Sequence, residues 1–237
     1  MTFLFINFVL AAVPAVALLI YFYRRDKQKK EPFSLIWKTF AFGFLAVIPA
    51  GLIELFVDAF FSIFTAGWMQ SFFKAFVVAA LIEESLKLAV VFIFVYKRTE
   101  FDEVTDGIVY TITASLGFAF LENLLYSFGP PYVLILRGIT AVPLHAIASG
   151  LMGYYIGMSK FSGKNMVGRG LFYAILIHGT YNFLLFTGTV SVIGVIPLLI
   201  FCWIILRKHT NRALKFDREH GLSSGPSEDS MEDAPNS

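Results

Sequence analysis

The stretch FFKAFVVAALIEESLKLAVVFIFVY, residues 72–96, decides the fold class. Apolar runs at 76–82 and 88–95 flank Glu83, Glu84 and Lys87, and together they are long enough to cross a bilayer as a helix. A carboxylate at the bilayer centre costs roughly 2.5–3.5 kcal/mol on insertion scales. Two adjacent carboxylates at that depth mark a position with a task.

Composition points the same way. Of 237 residues, 57% are hydrophobic and only 15% charged, and there are 27 phenylalanines. A mean hydropathy of +0.70 exceeds what a soluble core uses, so the expected class is an all-α, polytopic transmembrane helical bundle. A net charge of +2 gives no electrostatic footprint for nucleic acid. Cys202 is the single cysteine and lies in an apolar run, which excludes an intrachain disulfide and a cysteine-based metal site.

Outward from residues 72–96 the sequence predicts about seven spans. Residues 2–23 have no Lys or Arg ahead of their apolar run, so they are expected to stay attached as a membrane helix despite a cleavage-like Ala-Val-Pro-Ala-Val-Ala. A charged loop at 24–30 precedes a second helix at 35–56, with Pro49 and Gly51 placed to kink it. Residues 58–70 are expected to form an interfacial aromatic connection around Trp68. Further helices are expected at 105–128, 132–158, 167–186 and 191–206. Residues 1–206 then form one transmembrane domain with a motif-bearing core at 71–187. Residues 207–237 form a cytoplasmic tail, basic then acidic and largely disordered.

Lys and Arg concentrate after the first, third, fifth and seventh helices, with Arg137 the main exception. The positive-inside rule therefore puts the N-terminus outside and the C-terminus in the cytoplasm. At ~1.5 Å per residue, Glu83, His145 and His178 all fall near mid-membrane, with Asn182 and Glu122 nearer the exterior. Asp106 belongs at the cytoplasmic rim, where a helix start favours an acid. Four different helices thus deliver acid, amide or imidazole groups to the middle or outer half of the bilayer.

Spacing sharpens the pattern. Lys87 stands at i+4 from Glu83 and i+3 from Glu84, within reach of either carboxylate, but it neutralises only one. His178 and Asn182 share a face, and small residues around His145 (Ala146, Ser149, Gly150, Gly153) permit close helix approach. Glu83-Glu84-Ser85-Leu86-Lys87 fits E-E-x-x-K, Phe118 to Asn123 fits F-x-x-x-E-N, and His178 to Asn182 fits H-x-x-x-N. With His145 and Asp106, these motifs resemble the PrsW family of glutamic-type intramembrane proteases, related to the wider superfamily that contains the CAAX-processing endoproteases. In that superfamily the second motif commonly ends in His where this chain has Glu122.

The resemblance implies a bacterial plasma-membrane protease that makes the first, outward-side cut in a membrane-anchored anti-sigma factor, a single-span partner. Neither a Ser-His-Asp set nor an H-E-x-x-H pattern is present. The expected catalytic set is therefore Glu83 as general base with Glu84 as its proton-sharing partner, tuned by Lys87. His178 and Asn182 are expected to donate to the oxyanion, and His145 and Glu122 to orient water or substrate. Asn123 supports the set through a hydrogen bond. No cofactor is expected. The alternatives are a zinc protease using His145, His178 and a Glu, and a proton- or ion-coupled transporter using the same groups as a relay.

Overall fold

The computed structural model describes residues 2–25 and 29–222. Among them there is no β-strand, and the chain is a bundle of helices α1 (Thr2–Arg25), α2 (Phe33–Phe64), α3 (Gly67–Phe73), α4 (Ile82–Phe94), α5 (Val104–Leu125), α6 (Pro131–Ile139), α7 (Ala141–Phe161), α8 (Val167–Phe186) and α9 (Ile196–Glu219). Five stretches are long and apolar enough to cross a membrane: Phe5–Arg25, Phe33–Phe64, Val104–Phe128, Pro131–Phe161 and Val192–Glu219. Two further helical stretches, residues 67–94 and Val167–Phe186, carry the acidic pair and His178.

α5 is the axis of the bundle. It is buried along nearly its whole length because its sequence is small and hydroxylic, with Gly107, Thr111, Thr113, Ala114, Ser115 and Gly117 all inside. Thr111 and Thr113 donate back to the carbonyls of Gly107 and Val109 at 2.6 and 2.7 Å, so burial leaves neither hydroxyl unsatisfied. α7 packs on α5 through Gly153 and Gly157 against Gly107 and Val104. A Cβ on Gly153 would lie 2.1 Å from the Gly107 carbonyl oxygen, so this approach of two backbones requires glycine. Large apolar side chains on the outer helices face outward instead, among them Phe5, Leu55, Phe56, Ile63, Phe128 and Phe201. Lipid satisfies such a surface where water does not.

Several elements differ from the sequence expectations. α2 runs uninterrupted through Pro49 and Gly51 to Phe64, absorbing half of the expected connection, and Trp68 lies in α3. Between α3 and α4 the helix is continuous but widened into a π-helical stretch, Lys74–Leu81, immediately before the acidic pair. Such wide turns recur at functional sites because they re-aim the residues that follow. The expected helix at 132–158 is two helices broken at Thr140. Pro143 has no amide for the carbonyl of Ile139, and its ring crowds that carbonyl.

The last helix does not stop at Leu206. It continues to Glu219, so residues 207–219 are helical rather than part of a disordered tail. Strong helix formers such as Arg212, Ala213, Leu214 and Lys215 continue the helix, and its end docks at the start of α5, whose first amides need acceptors. The Asp217 carboxylate accepts from the amides of Val104 and Thr105 at 2.7 and 3.0 Å and from the Thr105 hydroxyl at 2.6 Å. Asp106 completes a capping box with Glu103, accepting its amide at 2.6 Å. The acidic end of the expected tail, 223–237, lies outside the described residues.

Gly153→Val is expected to destabilise the protein by at least about 1–3 kcal/mol, the usual range for overpacking. The readout is a lower apparent Tm in detergent, with Gly168→Ala, which opens onto empty space, unchanged as the control.

Candidate active site

The acidic pair, both central imidazoles and the lysine meet in one place. Lys87 is fully buried, and its Nζ lies 2.7 Å from Glu84 Oε1, 3.2 Å from Glu83 Oε2 and 2.8 Å from His145 Nδ1. The Phe118 ring covers the ammonium at 4.5 Å. An ammonium only donates, so His145 accepts at Nδ1 and carries its proton on Nε2, which donates to Glu122 Oε2 at 2.9 Å. The break before α7 brings in Arg137, whose Nη2 lies 2.8 Å from Glu122 Oε1 and whose Nε donates to Asn123 Oδ1 at 2.8 Å.

Glu84 and Glu83 sit in different surroundings although they are adjacent in sequence. Glu84 is completely enclosed; its Oε1 accepts from Lys87 and from His178 Nδ1 at 2.9 Å, and its Oε2 accepts from the Ser149 hydroxyl at 2.8 Å. Every neighbour is a donor, which suits a carboxylate held in place. Glu83 instead lines a cavity of about 460 Å³ together with Glu122, Arg137, His145, His178 and Asn182. Its Oε2 stands 3.9 Å from His145 Nδ1 and 4.0 Å from His178 Nε2, and the two imidazole rings are 5.0 Å apart at nearly right angles.

These contacts alter two expectations. The proton expected to be shared by Glu83 and Glu84 has no such hydrogen bond, because Glu84 is already engaged by three donors. His178 commits its Nδ1–H to Glu84, so the neutral ring presents an Nε2 lone pair to the cavity and only the protonated ring would donate there. Asn182, one turn along α8, lines the same cavity and offers the amide donor.

Three groups at the site escaped the sequence reading. Arg137 was noted only as a misplaced positive charge, and Ser149 only as a small residue. Glu54 on α2 went unremarked, although an acid inside a predicted span carries the same signal as Glu83. It lines the main cavity and a second recess of about 370 Å³, which share Glu54, Glu83, Glu122 and Tyr126.

A divalent ion fits the donor set. Glu83, His145 and His178 each present one ligand atom, all within 4.8 Å of one another. Two imidazoles and one carboxylate form the usual open zinc set. Each imidazole also has its far nitrogen on a carboxylate, Glu122 or Glu84, the arrangement that orients metal-bound histidines. Lys87 would have to release His145 Nδ1 for that nitrogen to serve as a ligand.

The structure is a bundle with membrane-length apolar helices, acids and imidazoles along one cavity, and a buried lysine behind them. The family model described as PrsW family intramembrane metalloprotease matches residues 31–206. Relatives called Protease PrsW include one from Geobacillus kaustophilus (strain HTA426), 41% identical over 73% of this chain and 76% of the relative. Another, from Bacillus subtilis (strain 168), is 34% identical over 80% of this chain and 87% of the relative. A third, from Oceanobacillus iheyensis, is 36% identical over 84% and 92%. No solved structure matches. The chain belongs to the PrsW family of intramembrane proteases.

Lys87→Met removes the cation that three buried groups share. Breaking a buried pair on one side is expected to cost roughly 3–5 kcal/mol, seen as a lower apparent Tm in detergent. Adding Glu84→Gln to that variant should recover part of the loss.

Proposed function

We propose that this protein is an intramembrane endopeptidase that makes the first, outward-side cut in a membrane-anchored anti-sigma factor, with Glu83 as the base for water. The observation that carries this is the position of Glu83. It is the member of the acidic pair that reaches the cavity, and it stands within 4 Å of both imidazoles. The substrate class comes from the resemblance of the motifs to the family.

In this mechanism water sits between Glu83 and the lone pair of His178 Nε2. Glu83 takes one proton as the water oxygen bonds to the carbonyl carbon, and the carbonyl π pair moves onto oxygen. The Asn182 side-chain amide donates to that oxyanion, a contribution worth roughly 2.7–4 kcal/mol per donor in other proteases. Glu83 then returns its proton to the amide nitrogen as the C–N bond breaks. Glu84 acts at one remove, fixing His178 through Nδ1 and Lys87 through its ammonium. Glu122, clamped by Arg137, fixes His145 in the same way.

The His–His–Glu donor set favours a second reading, in which Glu83, His145 and His178 hold zinc. A bound zinc would supply a Lewis acid and a water acidic near neutral pH. Glu84 and Glu122 would then orient the two histidine ligands.

Co-expression with a single-span anti-sigma factor, followed by a blot for a shortened fragment, tests the activity. Glu83→Gln at wild-type membrane levels is expected to slow cleavage about 10²–10⁴-fold, the usual yield of a positioned base. Wild-type cleavage by that variant would end this assignment. Purified protein assayed for bound metal, then for cleavage after chelation, decides between the two readings. Metal-free, chelator-resistant cleavage selects the first, and a stoichiometric ion whose removal stops cleavage selects the second.

A further inference from the structure

The intramembrane carboxylates of the central cluster have partners in their own chain. Glu83 and Glu84 bind Lys87, and Glu122 binds Arg137. Glu54 does not follow the pattern. It is half-buried on α2, and it makes no hydrogen bond or ion pair with any other described residue. The cations that line the cavity with it are already engaged, Arg137 with Glu122 and Lys74 with Asp58 at 3.4 Å. A half-buried acid without a partner carries a desolvation cost. With no partner among the described residues, the carboxylate is open to its own proton, to water, or to a cation on the molecule that enters the cavity.

We infer that Glu54 is a specificity residue that receives a basic side chain, Lys or Arg, of the substrate segment on the α2 side of the scissile bond. This rests on the endopeptidase reading above. The shape of the recess agrees with the charge. From Glu54 and Glu83 it continues between Val47, Ala50, Phe118 and Leu125, an apolar wall that matches the methylene stem of a long basic side chain while its charged end meets the carboxylate. Glu83 belongs to both recesses, so a bound segment crosses it with one flank beside α8 and the other beside Glu54. A Glu side chain at the same substrate position would meet like charge and be rejected.

The test uses single-span peptides that differ at one position, carrying Lys, Gln or Glu, moved residue by residue along the segment. Binding is measured first by photocrosslinking to the Glu83→Gln protein in vesicles, so that no cleavage is needed. One register is expected where Lys binds at least roughly tenfold tighter than Gln, the scale of the weaker charge couplings across interfaces. Adding Glu54→Gln should bring that ratio near one, and Glu54→Lys should transfer the preference to Glu. A Lys preference that survives Glu54→Gln, or no preference in any register, overturns the inference. In cleavage assays with Glu83 intact, Glu54→Gln should raise KM for the Lys peptide far more than it lowers kcat. An equal fall in kcat on every peptide would make Glu54 catalytic and also overturn it. A Lys preference in binding without cleavage of any peptide by the unaltered protein would refute the endopeptidase reading and leave the cation site standing.

Discussion

A single ammonium group with no access to solvent holds the centre of this molecule together. Lys87 Nζ touches groups from two helices, the acidic pair on its own helix and His145 on α7, and through Glu84 it reaches His178 on α8. Attraction between such groups in a low-dielectric interior is strong, but so is the cost of desolvating them. Around the ammonium the polar groups are well matched: Glu84 accepts from three donors, and His145 uses both ring nitrogens. The network therefore specifies how α4, α7 and α8 stand relative to one another more than it adds to their adhesion. The adhesion comes from small residues, with α5 and α7 meeting backbone to backbone at Gly107 and Gly153.

The network imposes an asymmetry on two neighbouring glutamates, and the proposed chemistry rests on it. One turns inward and is spent on positioning, while the other borders the cavity and keeps an oxygen near two imidazoles. The wide helical turn at Lys74–Leu81 lies directly ahead of them and sets the direction in which both point. Each imidazole is braced from behind by a different acid, Glu84 or Glu122.

Much of this was legible in the sequence, for a physical reason. Ionisable residues inside apolar runs are so costly that Glu83, Glu84, Lys87, Glu122, His145 and His178 announce themselves, and the structure brings them into one cluster. Asn182 joins them along the same cavity wall. What escaped notice was context that depends on three dimensions. Glu54 sits alone in the apolar stretch between Lys38 and Asp58, and only the folded chain shows that it lines the cavity. The break at Thr140 had a local cause in Pro143, but hydropathy is blind to it because both halves are equally apolar. Residues 207–219 carry strong helix formers and extend a buried face at 206, 210, 213 and 217 that a reading by charge alone passes over, and Asp217 ties their end to a distant helix start.

That last contact bears on how the protein is made. Asp217 satisfies amides 112 and 113 positions earlier in the chain. As the polypeptide leaves the ribosome, the central helix must enter the membrane with its leading amides still served by water. It receives its final acceptor only once nearly all of the described chain has been synthesised. Loss of the segment around Asp217 would be felt over a hundred residues upstream, in the helix around which all the others are arranged.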